Sequence, residues 1–232
     1  MLPDFEGKNS LLNREFSRYA IPFFDSIHSF DALLYRLDLN IPMQSYRFSG
    51  SMTMQFQVVF DNLSQINLNM VRLVTDSVFL NGIRTTFNHD DSLITIQLGG
   101  FHHPPETLAV QVFYQDTLPN RGFYFDGRDA YTFAEPLDAR WWFPCFDEPW
   151  DKATSEIFCT VPDTDKVGSN GFLESVSHDT QNHTFTYHWV NNYQIATYLI
   201  NLIIGDYAVW NDYYISSVTK RAFLCNPSRI SR

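Results

Sequence analysis

The chain has 232 residues, of which 44% are hydrophobic, 16% aromatic and only 18% charged, with a formal net charge of −10. That length can bury a proper core as one large domain or two small ones. The acidity and the lack of any Lys/Arg cluster exclude a nucleic-acid partner, and no apolar run of about 18 residues is present to cross a membrane as a helix.

In chain order, residues 1–24 read as an extension, with helical periodicity conceivable only over residues 10–20. From residue 33 onward, period-2 alternation dominates. Met52, Met54, Phe56, Val58 and Phe60 fall on one strand face, with Thr53, Gln55 and Gln57 on the other. Ile66, Leu68 and Met70 alternate with Gln65, Asn67 and Asn69. The stretch from Val78 to Phe87 contains Asn81-Gly82, whose tolerance of positive φ predicts a tight hairpin. Ile94, Ile96 and Leu98 mark a further half-buried strand, and Leu108, Val110, Val112 and Tyr114 the next. Phe185, Tyr187 and Trp189 alternate with Thr184, Thr186 and His188. Residues 198–204 read as a continuously apolar strand buried on both faces. Residues 213–232 begin as a strand and end in Asn226-Pro227-Ser228. The expectation is an all-β, antiparallel, multi-sheet domain over residues 25–215, with 216–232 as an exit strand.

Three cysteines, Cys145, Cys159 and Cys225, are odd in number and lack Cys-x-x-Cys spacing. Buried free thiols in a reducing, cytoplasmic setting are expected rather than a disulfide framework or a structural zinc site. The start, Met1-Leu2-Pro3-Asp4-Phe5-Glu6, does not read as a signal peptide.

The densest chemistry lies in residues 138–152, Asp-Ala-Arg-Trp-Trp-Phe-Pro-Cys-Phe-Asp-Glu-Pro-Trp-Asp-Lys. Three consecutive aromatics, two prolines and four acids make neither a regular strand nor an amphipathic helix, so a fixed, partly buried loop is expected. Pro149 suits the first position of a helical turn, capped by Asp147 or Glu148. The cluster Asp147, Glu148 and Asp151 has Arg140 and Lys152 beside it as countercharges. It reads as a salt-bridged structural loop rather than a metal site. Trp141, Trp142 and Phe143 read as core and interdomain packing, leaving an apolar surface partly exposed when a neighbouring domain is absent. His102-His103 and His89-Asp90-Asp91 read as solvated loop residues, and His178, His183 and His188 are not expected to share a site.

The loop also resembles a known family. Ala139-Arg140, Phe143-Pro144-Cys145, Asp147-Glu148-Pro149 and Lys152-Ala153 look like the signature of the amino-terminal domain of zinc aminopeptidases of the aminopeptidase N and leukotriene hydrolase type. Tyr35-Arg36-Leu37-Asp38-Leu39, Gly50 to Phe56, Ser169-Asn170-Gly171, Ile195 to Ile200 and Gly205-Asp206-Tyr207 match further landmarks in the same order. None of the seven histidines is followed by Glu, so the zinc-binding His-Glu-x-x-His pair is absent from these residues.

This resemblance implies a saddle-shaped, non-catalytic β domain beside a catalytic domain that holds zinc. Metal ligands and tight zinc binding are not expected in this chain. Partners implied are that catalytic domain and the amino terminus of a peptide substrate. In the family, a Gln and, two residues on, a Glu or Gln precede Ala-Arg and reach the active site, where the Glu helps hold the substrate's α-amine. Counting back from Asp138-Ala139-Arg140 places Glu135 on that Glu and Phe133 on that Gln. Phe133 departs from the family's residue and removes a polar contact. The family's Gly-x-Met-Glu-Asn motif is absent too. These departures keep a second reading open, a stand-alone or degenerate interaction module without peptidase activity. Arg140, Pro144, Asp147, Glu148 and Pro149 are implied as the structural motif that holds the Glu135 segment.

Overall fold

A computed structural model describes residues 28–209 and the backbone pairing of Asn211–Asp212 with Phe223–Leu224. The helix expected at residues 10–20, Cys225 and the Asn226-Pro227-Ser228 exit lie outside the described residues.

Fifteen strands carry the fold among residues 28–209. They are β1 (Phe30–Asn40), β2 (Phe48–Val58), β3 (Leu63–Asn69), β4 (Val74–Leu80), β5 (Ile83–Arg84), β6 (Phe87–His89), β7 (Leu93–His102) and β8 (Thr107–Asp116). Then follow β9 (Gly122–Asp126), β10 (Asp129–Phe133), β11 (Lys152–Pro162), β12 (Lys166–Ser169), β13 (Phe172–Asp179), β14 (Thr184–Ala196) and β15 (Leu202–Gly205). Three single 3₁₀ turns are the only helical pieces among the described residues. An eight-stranded sheet runs β13-β14-β11-β1-β2-β8-β4-β5, a three-stranded sheet β3-β7-β6, and a four-stranded sheet β12-β15-β10-β9. The β1–β11 pair is parallel; the remaining pairs of these sheets are antiparallel. The expected antiparallel all-β architecture therefore holds, with one parallel pair at the centre of the largest sheet.

Alternation chooses the core face. Met52, Met54, Phe56 and Val58 are buried on β2, with Met54 opposite Val110 and Met52 opposite Val112 on β8. Ile66 and Leu68 on β3 and Ile94, Ile96 and Leu98 on β7 are buried in the same cluster as Val167, Leu202 and Ile204 of the four-stranded sheet. One contiguous core thus joins all three sheets. The Asn81-Gly82 hairpin forms, with φ of 48° and 80° at its two central residues. Two strand expectations fail at their ends. Phe60 is exposed beyond the end of β2, where Val59 and Phe60 turn away to bond Ser29. The run at 198–204 is not one strand. Thr197–Leu199 is a 3₁₀ turn and only Leu202–Gly205 is extended, because Asn201 interrupts the apolar run and its N–H is taken by Asn170.

Candidate substrate-facing site

The segment that follows β10 begins exposed and ends deep in the core. Phe133 is 62% exposed and Glu135 is exposed, whereas Ala134 between them is buried. Asp138 N–H donates to Ala134 carbonyl at 2.8 Å, which closes a tight turn over residues 134–138. Gly122, with φ +72°, lies against this turn; a Cβ there would collide with the Asp138 carbonyl. Arg121 grips Asp138 through Nε at 3.0 Å and lays its guanidinium 4.8 Å from the Trp141 ring centre.

From Ala139 onward the chain enters the core. Arg140 Nε donates to Asp147 Oδ2 at 2.8 Å, and the same carboxylate accepts from Thr197 Oγ1 through Oδ1 at 2.6 Å. Asn69 Oδ1 accepts from Asp147 N–H at 3.0 Å, and Asn69 and Cys145 exchange backbone bonds of 2.7 and 3.1 Å. Arg140 and Asp147 side chains are 7% and 0% exposed. A buried charged pair survives only when its remaining donors and acceptors are also satisfied, and here they are. Tyr35 Oη accepts from Phe146 N–H at 3.0 Å and ties the loop to β1.

The expected salt-bridged loop is therefore present, with three corrections. Asp147 caps the 3₁₀ turn at Ala139–Trp141, accepting from Arg140 N–H at 3.4 Å, rather than the turn at Pro149. Pro149 is the second residue of a turn closed by Asp151 N–H to Glu148 carbonyl at 3.1 Å, where its fixed φ also fits. Lys152 is exposed and joins no ion pair among the described residues, leaving Arg140 as the countercharge. The expected apolar surface at Trp141-Trp142-Phe143 is also absent. Trp142 and Phe143 are fully buried, and Trp141 is 8% exposed under the guanidinium groups of Arg72 and Arg121. The core took these rings because the loop packs against β3 through Cys145, β9 through Trp142 and β1 through Phe143 instead of lying on the surface. Pro144 is buried with them, while Glu148 is half-buried and its carboxyl is pushed upward by that burial.

The exposed end faces a cleft of about 370 Å³. Phe133, Glu135, Asn170, Tyr198 and Asn201 line it, so three separate sequence landmarks converge there. Asn170 Oδ1 accepts from Asn201 N–H at 2.8 Å, Ser169 Oγ donates to Asn201 carbonyl at 2.7 Å, and Thr132 Oγ1 accepts from Leu202 N–H at 2.9 Å. Gly171, with φ +84°, lets the strand pass against Val190, where a Cβ would not fit. The cleft wall is thus hydrogen-bonded throughout, while Glu135 forms no ion pair among the described residues.

Elsewhere, His102 is held by Glu106 at 2.8 Å, which raises its pKa, and His103 contacts Asp61 at 3.1 Å. His178 and His183 both approach Asp163, at 3.5 and 3.4 Å, because the β13–β14 hairpin folds them together. Sequence spacing did not anticipate that sharing. His188 stands apart on Glu156 at 2.7 Å. Cys145 and Cys159 are buried free thiols, as expected. A further group, His28, Asp31 and Asp151, is brought together by the fold and was not anticipated.

The M1 zinc metallopeptidase of Deinococcus radiodurans, in a mutant form bound to a Tyr-Ser-Ala substrate, superposes with a TM-score of 0.76 at 23% identity, over 82% of this chain and 45% of that one. The family model for the peptidase M1 N-terminal domain matches residues 31–199, and the chain belongs to that family. A probable M1 family aminopeptidase 2 of Encephalitozoon cuniculi is 30% identical over 94% of this chain and 25% of its own length. The alanine/arginine aminopeptidase of Saccharomyces cerevisiae is 24% identical over 75% of this chain and 22% of its length. The chain spans between about a quarter and a half of the length of the curated relatives it matches.

Proposed function

We propose that this chain acts as the amino-terminal domain of a zinc aminopeptidase, with residues 25–215 as the folded unit, and that Glu135 binds the α-ammonium of a peptide substrate. The observation that carries this reading is the pairing of an exposed carboxylate that forms no ion pair among the described residues with a hydrogen-bonded cleft, on a segment anchored by the buried Arg140–Asp147 pair. A carboxylate at a fixed position selects a charged amino terminus over a blocked one, which makes the reaction an exopeptidase one. The residues present do not fit a catalytic zinc site, since no His-Glu-x-x-His occurs. The zinc of the parent enzyme, which would activate water, belongs to residues of a catalytic domain that packs on this one. What this chain supplies is orientation, with Phe133 offering the cleft an apolar face where the family has an amide.

The test uses the polypeptide that carries this chain together with its catalytic domain. Glu135→Gln removes the charge, and Glu135→Ala removes charge and hydrogen bonding. A buried charge-assisted contact is worth about 2–5 kcal/mol when its partner stays desolvated. The expected fall in kcat/KM for free-amino-terminus peptides is therefore on the order of tens- to thousands-fold, larger for Ala, with zinc content unchanged. Full activity in both variants would remove Glu135 from substrate binding. A wild-type two-domain protein that holds zinc but turns over no peptide would favour the interaction-module reading, for which Phe133 at the cleft is the motive.

A further inference from the structure

His28, Asp31 and Asp151 each present a ligand atom, and these atoms lie within 4.8 Å of one another. Their meeting follows from topology. The parallel β1–β11 register pairs Leu34 with Thr154, and stepping back along both strands brings Asp31 beside Asp151. His28 precedes β1 and packs, tilted by 43°, against the ring of Trp150 with centres 4.5 Å apart, and Trp150 is next to Asp151 in the chain. Three residues far apart in sequence are thereby fixed at the entry of two central strands.

Asp151 is 4% exposed, and its Oδ1 has no hydrogen-bond partner; its Oδ2 takes only a 3.5 Å contact from Ala32 N–H. His28 Nδ1 is likewise buried and without a partner. Asp31 is half-buried beside them. A buried polar atom left unpaired costs about 1–3 kcal/mol, more for a charged one. Two neighbouring carboxylates add mutual repulsion. A proton on Asp151 relieves that repulsion but leaves the imidazole nitrogen unsatisfied. A divalent cation satisfies all three groups at once and balances both negative charges.

The spacing suits an ion. Three atoms no more than 4.8 Å apart surround a centre at most about 2.8 Å from each. Zinc bonds to imidazole nitrogen and carboxylate oxygen run about 2.0–2.2 Å, so a contraction of well under about 1 Å completes the set. One imidazole with two carboxylates is a donor set for a borderline transition-metal ion rather than for calcium or magnesium, which take oxygen ligands. Ala32 N–H, bonded to the other Asp151 oxygen, orients that ligand, and the Trp150 ring restrains the imidazole.

We propose that His28, Asp31 and Asp151 form a binding site for a zinc-type divalent cation that clamps the start of β1 to the loop entering β11, with a fourth position open to water. An ion bound here would revise the sequence expectation of no metal ligand in this chain.

The 232-residue chain, stripped with chelator and exchanged into chelator-free buffer, is titrated with Zn²⁺ against a chromophoric competitor, and its unfolding temperature is followed with and without the ion. One ion per chain is expected, with a dissociation constant in the micromolar range or tighter and a rise in unfolding temperature. His28→Gln and Asp151→Asn each weaken binding by at least about tenfold, and Asp31→Asn weakens it too. His102→Gln, at a surface site, leaves that ion in place. Affinity rises with pH, because both carboxylates and the imidazole bind in their deprotonated forms. Circular dichroism checks that each variant is folded; His28→Gln, at the domain edge, serves alone if Asp151→Asn does not fold. No stoichiometric ion at 100-fold excess over protein, or equal affinity in wild type and His28→Gln, overturns the proposal. Calcium binding in preference to zinc overturns the assigned chemistry.

Discussion

Asp147 and Glu135 sit on the same short segment and are put to opposite uses. Asp147 is fully buried, and its carboxylate meets the Arg140 guanidinium, the Arg140 N–H and the Thr197 hydroxyl. Glu135 is exposed at a cleft and forms no ion pair among the described residues. The chain spends its best-paired carboxylate on geometry and leaves the other uncommitted. A ligand-binding carboxylate that was already saturated could not exchange partners, and one on an unanchored loop would lose its aim. Under the proposed function, the buried end serves the exposed one.

The comparison breaks most visibly at Asp147. Asp147→Ala strands a buried Arg140 and the Thr197 hydroxyl, and loss of one partner of a buried ion pair costs about 3–5 kcal/mol. Urea denaturation should show a fall of that order, a large part of a typical domain's stability. A fall below about 1 kcal/mol would mean that the Glu135 segment is held by packing alone.

Asp151 gives the next effect, and it depends on pH. Burial, reinforced by the nearby Asp31 and Glu148 charges, pushes its carboxyl up to about 7 from an ordinary 3.8, although the Ala32 N–H opposes the rise. The folded state thus prefers the protonated form. The stability that goes with it is fully present below about pH 4 and is lost as pH rises through about 7. In metal-free protein, Asp151→Asn should match wild type near pH 4 and exceed it near pH 8 by roughly 2–4 kcal/mol, read from denaturation midpoints at the two values. Equal pH profiles for the two proteins would show that Asp151 ionises without penalty in the fold.

The smallest effect is expected at Glu135. Both Glu135→Gln and Glu135→Ala should change the stability of the chain by less than about 0.5 kcal/mol, since no described partner is lost. A larger loss in the same denaturation assay would erase the contrast with Asp147 and make Glu135 a structural residue.

Much of the fold was legible in the sequence. Alternating residues on β2, β3, β7 and β8 point inward as their period requires, and Asn81-Gly82 turns where its tolerance of positive φ allows. The loop's charges implied a salt bridge, and Arg140 and Asp147 make one, but which acid takes which base was not legible. Core packing of Trp141, Trp142 and Phe143 was expected, but not its completeness, because an aromatic run has no period to say how many of its rings face inward. Nor was the break at Asn201, whose backbone N–H donates to Asn170 Oδ1 from another segment of the cleft wall.

By itself, the sequence determined the class of structure, the sheet-facing residues and the loop's cast of charged and aromatic groups, because side-chain periodicity and turn chemistry act over a few residues. Only the tertiary structure decided which distant groups meet. The parallel pairing of β1 with β11 sets Asp31 beside Asp151, the β13–β14 hairpin brings His178 and His183 to one aspartate, and the cleft gathers Glu135, Asn170 and Tyr198. Strand order and register are properties of the whole core. A spacing of 120 residues between Asp31 and Asp151 becomes a contact only once every sheet between them has closed.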